Sequence, residues 1–270
     1  MNRLLQGDVG SGKTVVAAEI IRRCALKGKR ALFVTNRRVL LSQGAKGIEG
    51  WAGIRVGIIA AGYHWHDHRD VHVGSLQTID SRALRGDRID LPDIDLLVID
   101  EAHSNTGPTA RKLMDEYDGI PILGLTATPV GLGKAGYELL VQGANYRELI
   151  EHGSLVPVQV YAPFEPDLNG LKANYASGDF VGAGKRLKEL KFSTHVLEEL
   201  ERRIPPMERR SRPLLMFAPD VPSSVWFTEQ LNRLGWRTAH IDHHTPDAER
   251  SKIFEDYNEG RLDCISSFGV

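Results

Sequence analysis

One loop near the start of the sequence constrains the fold more than any other feature. It consists of Gly7, Asp8, Val9, Gly10, Ser11, Gly12, Lys13 and Thr14, and it matches G-x-x-x-x-G-K-[ST] at each fixed position. An apolar run typical of a strand precedes the loop, and residues 14–26 show the apolar spacing of a helix. Such a loop binds phosphate, because its backbone N–H groups and the helix N-terminus face the phosphate oxygens.

The last two residues of the loop carry the expected chemistry. We expect Lys13 to reach the terminal phosphates of a nucleotide and the Thr14 hydroxyl to coordinate Mg²⁺. The alternative is a glycine-rich turn with no ligand. The complete match, in its position between a strand and a helix, favours the phosphate-binding interpretation.

The rest of the sequence alternates between short apolar runs and amphipathic stretches. Continuous apolar runs predict strands buried on both faces, and they lie at residues 3–6, 31–35, 56–59, 71–73, 96–100 and 122–125. A second set predicts strands at 158–161, 214–218, 238–241 and 262–266, with helices at about 183–203, 225–234 and 247–258. The alternation predicts two α/β domains, residues 1–155 and 156–270, each with a parallel sheet and helices on both faces.

Two carboxylates, Asp100 and Glu101, follow the buried run at residues 96–99. Acidic groups at the carboxyl end of a buried parallel strand are costly unless a cation meets them. We expect Asp100 to hold Mg²⁺, directly or through water, and Glu101 to position and deprotonate an attacking water molecule. Taken alone, the pair also fits a helix N-terminus that favours acidic residues.

Two hydroxyl side chains, Thr126 and Thr128, follow the apolar run at 122–125. They are predicted to lie at the same edge of the sheet as the acidic pair, because parallel strands end at one edge. His103 is available as a partner, and contact between these groups is one way to couple a nucleotide site to movement elsewhere in the protein.

The order of phosphate loop, Asp-Glu-Ala-His and Thr-Ala-Thr resembles superfamily-2 helicases and translocases of the DEAD/DEAH-box type, especially bacterial and phage members. The resemblance implies two tandem RecA-like P-loop NTPase lobes that use ATP and Mg²⁺. It also implies that His103, Thr126 and Thr128 link hydrolysis to movement along a strand.

Weaker signatures extend the resemblance to nucleic-acid contacts. Residues 34–38 resemble motif Ia of the family, and residues 73–78 resemble a segment that touches the nucleic-acid backbone. The implied contacts to phosphodiester groups are made by Arg37, Arg38, Gln77 and Thr78. The expected partner is nucleic acid, with DNA favoured over RNA, and backbone contacts of this kind do not distinguish base sequence.

The sequence departs from the family pattern near both ends. Only six residues precede Gly7, so the upstream adenine-reading glutamine of the family is missing, and no Q-x-x-G-R-x-x-R pattern supplies arginine fingers. Such an arginine contributes on the order of 10³–10⁵ in rate in related NTPases. We therefore expect an incomplete second lobe in a chain that binds ATP with Mg²⁺, hydrolyses it slowly and acts with further domains or subunits outside this chain.

Composition excludes several other classes of protein. The chain has 34 Lys and Arg against 35 Asp and Glu, so net charge alone does not hold it to nucleic acid. Its two cysteines fit neither a metal site nor a disulfide framework, and no run approaches the roughly 18 apolar residues of a membrane span. These features indicate a cytoplasmic protein without a membrane partner.

Three weaker features each have a structural interpretation that we prefer. The histidines of residues 64–68 fit a metal site or, more simply, an exposed loop. The arginine- and proline-rich residues 202–213 predict a solvated loop, and Phe217, Trp226 and Trp236 have the spacing of core residues.

The sequence thus predicts the core of an ATP-dependent helicase or translocase. Lys13, Asp100 and Glu101 form its catalytic set. The alternatives are a nucleotide-dependent nucleic-acid-binding protein without turnover and the motor part of a restriction or repair assembly.

Overall fold

The computed structural model describes residues 1–36, 38–63, 68–86, 88–131, 135–161, 167, 169, 171–173, 180–189 and 192–268. The chain forms two compact units, Met1–Gln159 and Val160–Val270. Each unit contains its own parallel sheet and its own buried apolar cluster.

The first unit alternates strands and helices, as the sequence predicts. Its strands are β1 (Asn2–Gln6), β2 (Ala31–Thr35), β3 (Gly57–Ile59), β4 (Val71–Ser75), β5 (Leu96–Ile99), β6 (Ile122–Thr126) and β7 (Leu139–Gln142). Its α-helices are α1 (Lys13–Ala25), α2 (Arg38–Ala52), α3 (Leu76–Ile79), α4 (Pro108–Glu116) and α5 (Tyr146–Glu151). A π-helical turn (Asp80–Leu84) continues α3, and a short 3₁₀ helix (Ala102–Ser104) follows β5.

All seven strands of this unit pair in parallel in the order β3-β4-β2-β5-β6-β1-β7. Their carboxyl ends therefore share one edge of the sheet, which receives the phosphate loop after β1 and the acidic pair after β5. Strand β6 lies between β1 and β5. Thr126 at its carboxyl end and Thr128 just after it therefore lie between the phosphate loop and the acidic pair.

Helices cover both faces of the sheet, which confirms the predicted class of α/β fold. One core cluster packs α1 and α2 residues such as Ile21 and Ile48 against Phe33 and Val98 of the strands. The other packs Leu113 of α4 against Leu97 on the opposite face. Burial on both faces explains why β2 and β5 are continuous apolar runs in the sequence.

The edge strand β7 is missing from the sequence prediction. Its residues Leu139–Gln142 pair with β1 but are all exposed. The run Leu139-Leu140-Val141 is apolar, but the local pattern alone does not show that it pairs with β1 at the edge of the sheet.

The second unit contains two small sheets. Strands β8 (Lys172–Ala173) and β9 (Phe180–Val181) pair antiparallel, whereas β10 (Leu214–Phe217), β11 (Thr238–Ile241) and β12 (Cys264–Ser267) form a parallel sheet in the order β10-β12-β11. Its helices are α6 (Ala183–Glu189), α7 (Phe192–Arg203), α8 (Val221–Arg233) and α9 (Asp247–Asn258), with a 3₁₀ helix at Pro206–Ser211.

Four predictions for residues 158–270 are wrong, and the first three concern a strand, a helix and a core residue. Residues 158–161 form no strand and are exposed, and the helix predicted at about 183–203 is two helices, α6 and α7. Phe217 is 79% exposed, because alternate residues of the edge strand β10 point away from the core. Trp236, by contrast, is buried as expected.

The segment predicted as a solvated loop instead anchors the core of the second unit. Arg209 is buried and donates two hydrogen bonds of 2.8 Å to the Glu201 carboxylate. Its guanidinium lies 4.6 Å from the ring centroid of Trp236, whose indole N–H donates to the same carboxylate at 2.6 Å. This cluster ties α7 and the 3₁₀ helix to the turn before β11.

The described helices include none with the length and apolar character needed to cross a membrane.

Candidate nucleotide-binding site

The phosphate loop is shaped by two glycines in left-handed conformation. Gly10 and Gly12 have φ angles of 81° and 80°, which side chains other than glycine rarely adopt. A Cβ atom on Gly10 would also lie 2.8 Å from a methyl group of Leu155. Helix α1 begins at Lys13, directly after the second of these glycines, so the loop delivers its lysine to a helix N-terminus.

Lys13 lies across the loop that it follows. Its ammonium donates hydrogen bonds of 2.8 Å to the Gly7 carbonyl and 3.1 Å to the Asp8 carbonyl. The Thr14 side chain is exposed at the start of α1. A cation and a hydroxyl therefore lie together at the mouth of a loop that ends in a helix N-terminus, and these are the groups that hold a phosphate with its metal ion.

The acidic pair lies at the carboxyl end of β5 in an environment that resists negative charge. Burial and the adjacent Glu101 carboxylate raise the pKa of Asp100, and the Glu101 backbone N–H, Lys13 and His103 offset part of this increase. A positive ion bound here would stabilise the ionised Asp100 carboxylate and so offset the effects of burial and of Glu101 on its pKa. The electrostatic influence of Lys13 on Asp100 also connects the acidic pair to the phosphate loop.

Glu101 has an unusual backbone conformation. Its φ angle is 47°, and it is the single non-glycine residue with positive φ in the described part of the chain. A residue held in this region costs about 1 kcal/mol or more and persists where the surroundings enforce it, often at functional sites. Asn105 supports the turn, because its side-chain amide donates to the Asp100 carbonyl at 2.8 Å.

The structure brings together the groups that the sequence proposes for coupling. His103 Nδ1 lies 3.0 Å from Thr126 Oγ1 and 3.4 Å from Glu101 Oε2. The Thr126 hydroxyl also accepts a hydrogen bond of 3.0 Å from the Thr128 backbone N–H, and the Thr126 carbonyl accepts one of 3.0 Å from Gly7 N–H. One chain of contacts therefore runs from the acidic pair through β6 to the phosphate loop.

The proposed nucleic-acid contacts have different environments. The Gln77 amide donates to the Asn36 carbonyl at 2.9 Å, which connects the ends of β2 and β4. Thr78 is buried, which removes its side chain from any surface that a nucleic-acid backbone would touch. Arg37 lies outside the described residues, as does the side chain of Arg38 at the start of α2.

The described residues contain no group of three or more His, Cys, Asp and Glu side chains that could hold a metal ion. Mg²⁺ needs no such cage, because it is commonly bound by one or two carboxylates, water molecules and the phosphates of a substrate. The hydroxyl of Thr14 and the carboxylate of Asp100 are oxygen donors of the required kind. The metal or loop interpretation of the histidine-rich segment 64–68 stays a prediction, since residues 64–67 lie outside the described part of the chain.

Sequence reasoning missed two residues of this region. Asn105 braces the acidic turn, and Gln142 at the end of β7 lies beside the phosphate loop. Neither belongs to a recognisable sequence motif. Only the pairing of β7 with β1 reveals that Gln142 is near the loop.

The sheet order, the glycine-rich loop and the acidic pair define a P-loop NTPase lobe followed by a second α/β unit. Residues 2–131 match the family model described as "Type III restriction enzyme, res subunit". The chain is 25% identical over 268 residues to a "51.5 kDa protein" of a Lactococcus phage, covering 97% of this chain and 54% of that protein. It is 30% identical over 140 residues to the ATP-dependent DNA helicase RecG of Streptococcus pneumoniae, covering 48% of this chain and 20% of RecG.

Solved structures resemble the fold at low sequence identity. The structure of S. cerevisiae Dbp5 bound to RNA and ADP BeF3 covers 99% of this chain and 65% of its own chain, with 16% identity and a TM-score of 0.64. The Pyrococcus furiosus Hef helicase domain covers 99% of this chain and 82% of its own, with 16% identity and a TM-score of 0.53. The fold is that of tandem RecA-like lobes.

The chain is therefore similar to superfamily-2 helicase-type proteins in its motifs, in the family model that its first unit matches and in its fold. It spans about half the length of the phage protein and a fifth of RecG.

Proposed function

We propose that this chain is the ATP-hydrolysing core of a helicase or translocase that moves along nucleic acid. The observation that carries the proposal is the continuous set of contacts between the loop and the acids. Thr126 of β6 binds Gly7 through its carbonyl and lies beside His103 through its hydroxyl. A change at the terminal phosphate thus has a direct route to a neighbouring strand.

Each residue has a defined role in this proposal. Lys13 exchanges its two loop carbonyls for phosphate oxygens, and the N-terminus of α1 adds its partial positive charge. Thr14 and Asp100 supply oxygen ligands to Mg²⁺, which when bound neutralises charge on the phosphates. Glu101 holds the attacking water and accepts its proton.

His103, Thr126 and Thr128 transmit the state of the site. The histidine lies between the Glu101 carboxylate and the Thr126 hydroxyl, so movement of either group alters the other contact. The Thr126 hydroxyl also accepts from the Thr128 backbone, which places the segment after β6 under the same control.

Nucleic acid is the proposed track, with DNA favoured over RNA because RecG, the relative described as a DNA helicase, is among the similar proteins. Gln77 lies at the sheet edge that carries these motifs, and Arg37 and Arg38 come directly after β2 and Asn36 in the sequence. Contacts from these residues to phosphates would position the chain on a strand without reading its sequence.

A phosphate-release assay on the whole chain tests the proposal. We expect ATP hydrolysis that depends on Mg²⁺ and increases when single-stranded DNA is added. Glu101→Gln should lower the hydrolysis rate by about 10²–10⁴ while ATP affinity changes less than twofold, because only the proton acceptor is removed. Glu116→Gln, at the exposed end of α4, is the matched control.

Two other outcomes distinguish the alternatives. Tight ATP binding with no phosphate release, even with nucleic acid present, would identify a nucleotide-dependent binding protein without turnover. The match to the restriction-enzyme family model favours a second candidate, the motor part of a restriction assembly. That candidate predicts hydrolysis that rises when the neighbouring subunits are supplied.

A further inference from the structure

A cavity opens beside the phosphate loop at the edge strand β7. Its volume is about 320 Å³ and its lining comes from Gln6, Gly7 and Asp8 on one side and from residues 142–145 and Glu148 on the other. The Gly143 N–H donates to the Gln6 carbonyl at 2.7 Å, so the backbone holds the two sides of the cavity together. No motif accounts for this cavity.

The strand order fixes which end of a nucleotide would face it. In the order β5-β6-β1-β7, the acidic pair follows β5 on one side of the loop and the cavity lies at β7 on the other. Asp100 would hold Mg²⁺ together with the terminal phosphates, so the acids mark the terminal-phosphate end of a bound nucleotide. The nucleoside end must then extend from the loop in the opposite direction, toward β7.

The charge of the cavity agrees with this orientation. Two carboxylates, Asp8 and Glu148, line it, and they disfavour a phosphate but not an uncharged base. One oxygen of Asn145 and one of Glu148 are already used, because each side chain accepts a hydrogen bond from the other residue's backbone N–H, at 3.1 and 2.8 Å. The side-chain amides of Gln6 and Gln142, at the carboxyl ends of β1 and β7, are neutral groups of the lining that offer a ligand both a donor and an acceptor.

These two amides bind each other and retain further hydrogen-bonding capacity. Gln142 Nε2 donates to Gln6 Oε1 at 3.3 Å, which leaves Gln142 with its carbonyl oxygen and one N–H. An amide with one acceptor and one donor matches adenine, which offers an amino donor beside a ring-nitrogen acceptor. The corresponding edge of guanine offers two acceptors, O6 and N7, and leaves the amide oxygen without a partner.

We propose that this cavity receives the base of the bound nucleotide and that Gln142, braced by Gln6, selects adenine. The inference rests on the proposed nucleotide site and assigns its base specificity to the carboxyl end of β7. Gln142 acts as a specificity residue and takes no part in phosphate chemistry.

Competition binding with Mg²⁺ and three probes, ATP, GTP and inorganic tripolyphosphate, tests the proposal on the whole chain. The unaltered protein should prefer ATP to GTP. Gln142→Ala should weaken ATP binding about five- to tenfold, as expected for loss of a bidentate amide contact, and abolish that preference while tripolyphosphate binding stays unchanged. Val141→Ala, the adjacent residue on the same exposed strand, should leave all three affinities unchanged.

A second variant of the same shape gives an independent readout. Gln142→Glu replaces the donor with an acceptor, so it should favour the N–H donors of guanine and raise GTP affinity relative to ATP. Equal ATP-to-GTP ratios in Gln142→Ala, Val141→Ala and the unaltered chain would overturn the base-site proposal but leave the phosphate site intact. Failure of the unaltered chain to bind both ATP and tripolyphosphate would overturn the proposed function as well.

Discussion

In both units an arginine and an aspartate exchange hydrogen bonds just before two adjacent strands, but the aspartate is more deeply buried in the second unit. In the first unit the residues before β2 and β5, Arg30 and Asp95, exchange hydrogen bonds: Asp95 N–H donates to the Arg30 carbonyl at 2.8 Å, and Arg30 N–H donates to the Asp95 carboxylate at 2.9 Å. In the second unit Asp263 and Arg237, before β12 and β11, repeat the exchange at 2.8 and 3.0 Å. The Asp95 side chain is 41% exposed, whereas that of Asp263 is 5% exposed and also pairs with the Arg237 guanidinium.

The opposite ends of the strands differ in chemistry. In the first unit they carry a lysine on a glycine-rich loop, a partly buried acid with raised pKa and a strained glutamate. In the second unit, residues near these ends form a polar network with α8, in which Ser224 Oγ lies 2.7 Å from His240 Nδ1 and 2.8 Å from Ser266 Oγ. The Arg–Asp pairs before the strands are therefore common to both units, whereas the capacity to bind a ligand depends on the residues at the carboxyl end of each strand.

The largest expected effect lies in the second unit. Arg209→Ala should lower the free energy of unfolding by about 3 kcal/mol, because it leaves the Glu201 carboxylate without its buried partner. Urea unfolding monitored by hydrogen exchange gives the free energy of unfolding of each unit separately. The adjacent exposed Arg210→Ala should have almost no effect, and equal losses in the two variants would contradict the structural role of Arg209.

The two Arg–Asp pairs before the strands provide the next comparison. Asp263→Ala should cost about 2 kcal/mol in the second unit, since a buried carboxylate that accepts from both the backbone and the side chain of Arg237 is lost. Asp95→Ala should cost less in the first unit, because water replaces more of its contacts. The measurement is the urea midpoint of each unit, and a greater loss for Asp95→Ala would reverse our account.

The pH dependence of stability should sharpen this comparison. Hydrogen bonds from the Arg237 side chain hold the pKa of Asp263 below its ordinary value. A carboxyl whose pKa is lower in the folded state stabilises the protein fully above the unfolded-state pKa and loses that contribution as pH falls through the folded-state value. The second unit should therefore weaken below about pH 4. In urea unfolding measured between pH 7 and 3, the stability of the Asp263→Asn variant should fall less with decreasing pH than that of the unaltered chain. An equal fall in both proteins would show that Asp263 is not the source of the pH dependence.

The smallest expected effect on binding concerns Thr126. Thr126→Val removes the hydroxyl beside His103 but keeps the carbonyl that accepts from Gly7. ATP affinity should change less than twofold, while stimulation of hydrolysis by single-stranded DNA should fall several-fold. A large loss of ATP affinity with unchanged stimulation by single-stranded DNA would contradict this role. It would indicate that Thr126 contributes to nucleotide binding instead.

Much of the first unit could be predicted from sequence because its strands are buried on both faces. The run at 31–35 coincides with β2, and all five of its residues are buried. The loop and the acidic pair were recognisable because their chemistry fixes residue type and spacing. The contact between His103 and Thr126 was anticipated from the sheet edge that their strands share.

The remaining features depend on pairing between distant segments. Residues 158–161 are apolar except for Gln159 yet form no strand, because a strand needs a neighbour that local pattern does not specify. The burial of Arg209 depends on Glu201 and Trp236, which come together only in the folded unit. Gln142 is likewise placed by the pairing of β7 with β1.

The most direct test of the central claim is titration of a fluorescent ATP analogue into the Lys13→Ala variant with Mg²⁺ present. Lys29→Ala is the matched control, because Lys29 pairs with Asp95 away from the loop. We expect the Lys13→Ala variant to lose at least about tenfold in affinity, the equivalent of one charge-assisted phosphate contact, and the control to bind as the unaltered chain does. Equal affinity in all three proteins would contradict the assignment of the loop as a phosphate site.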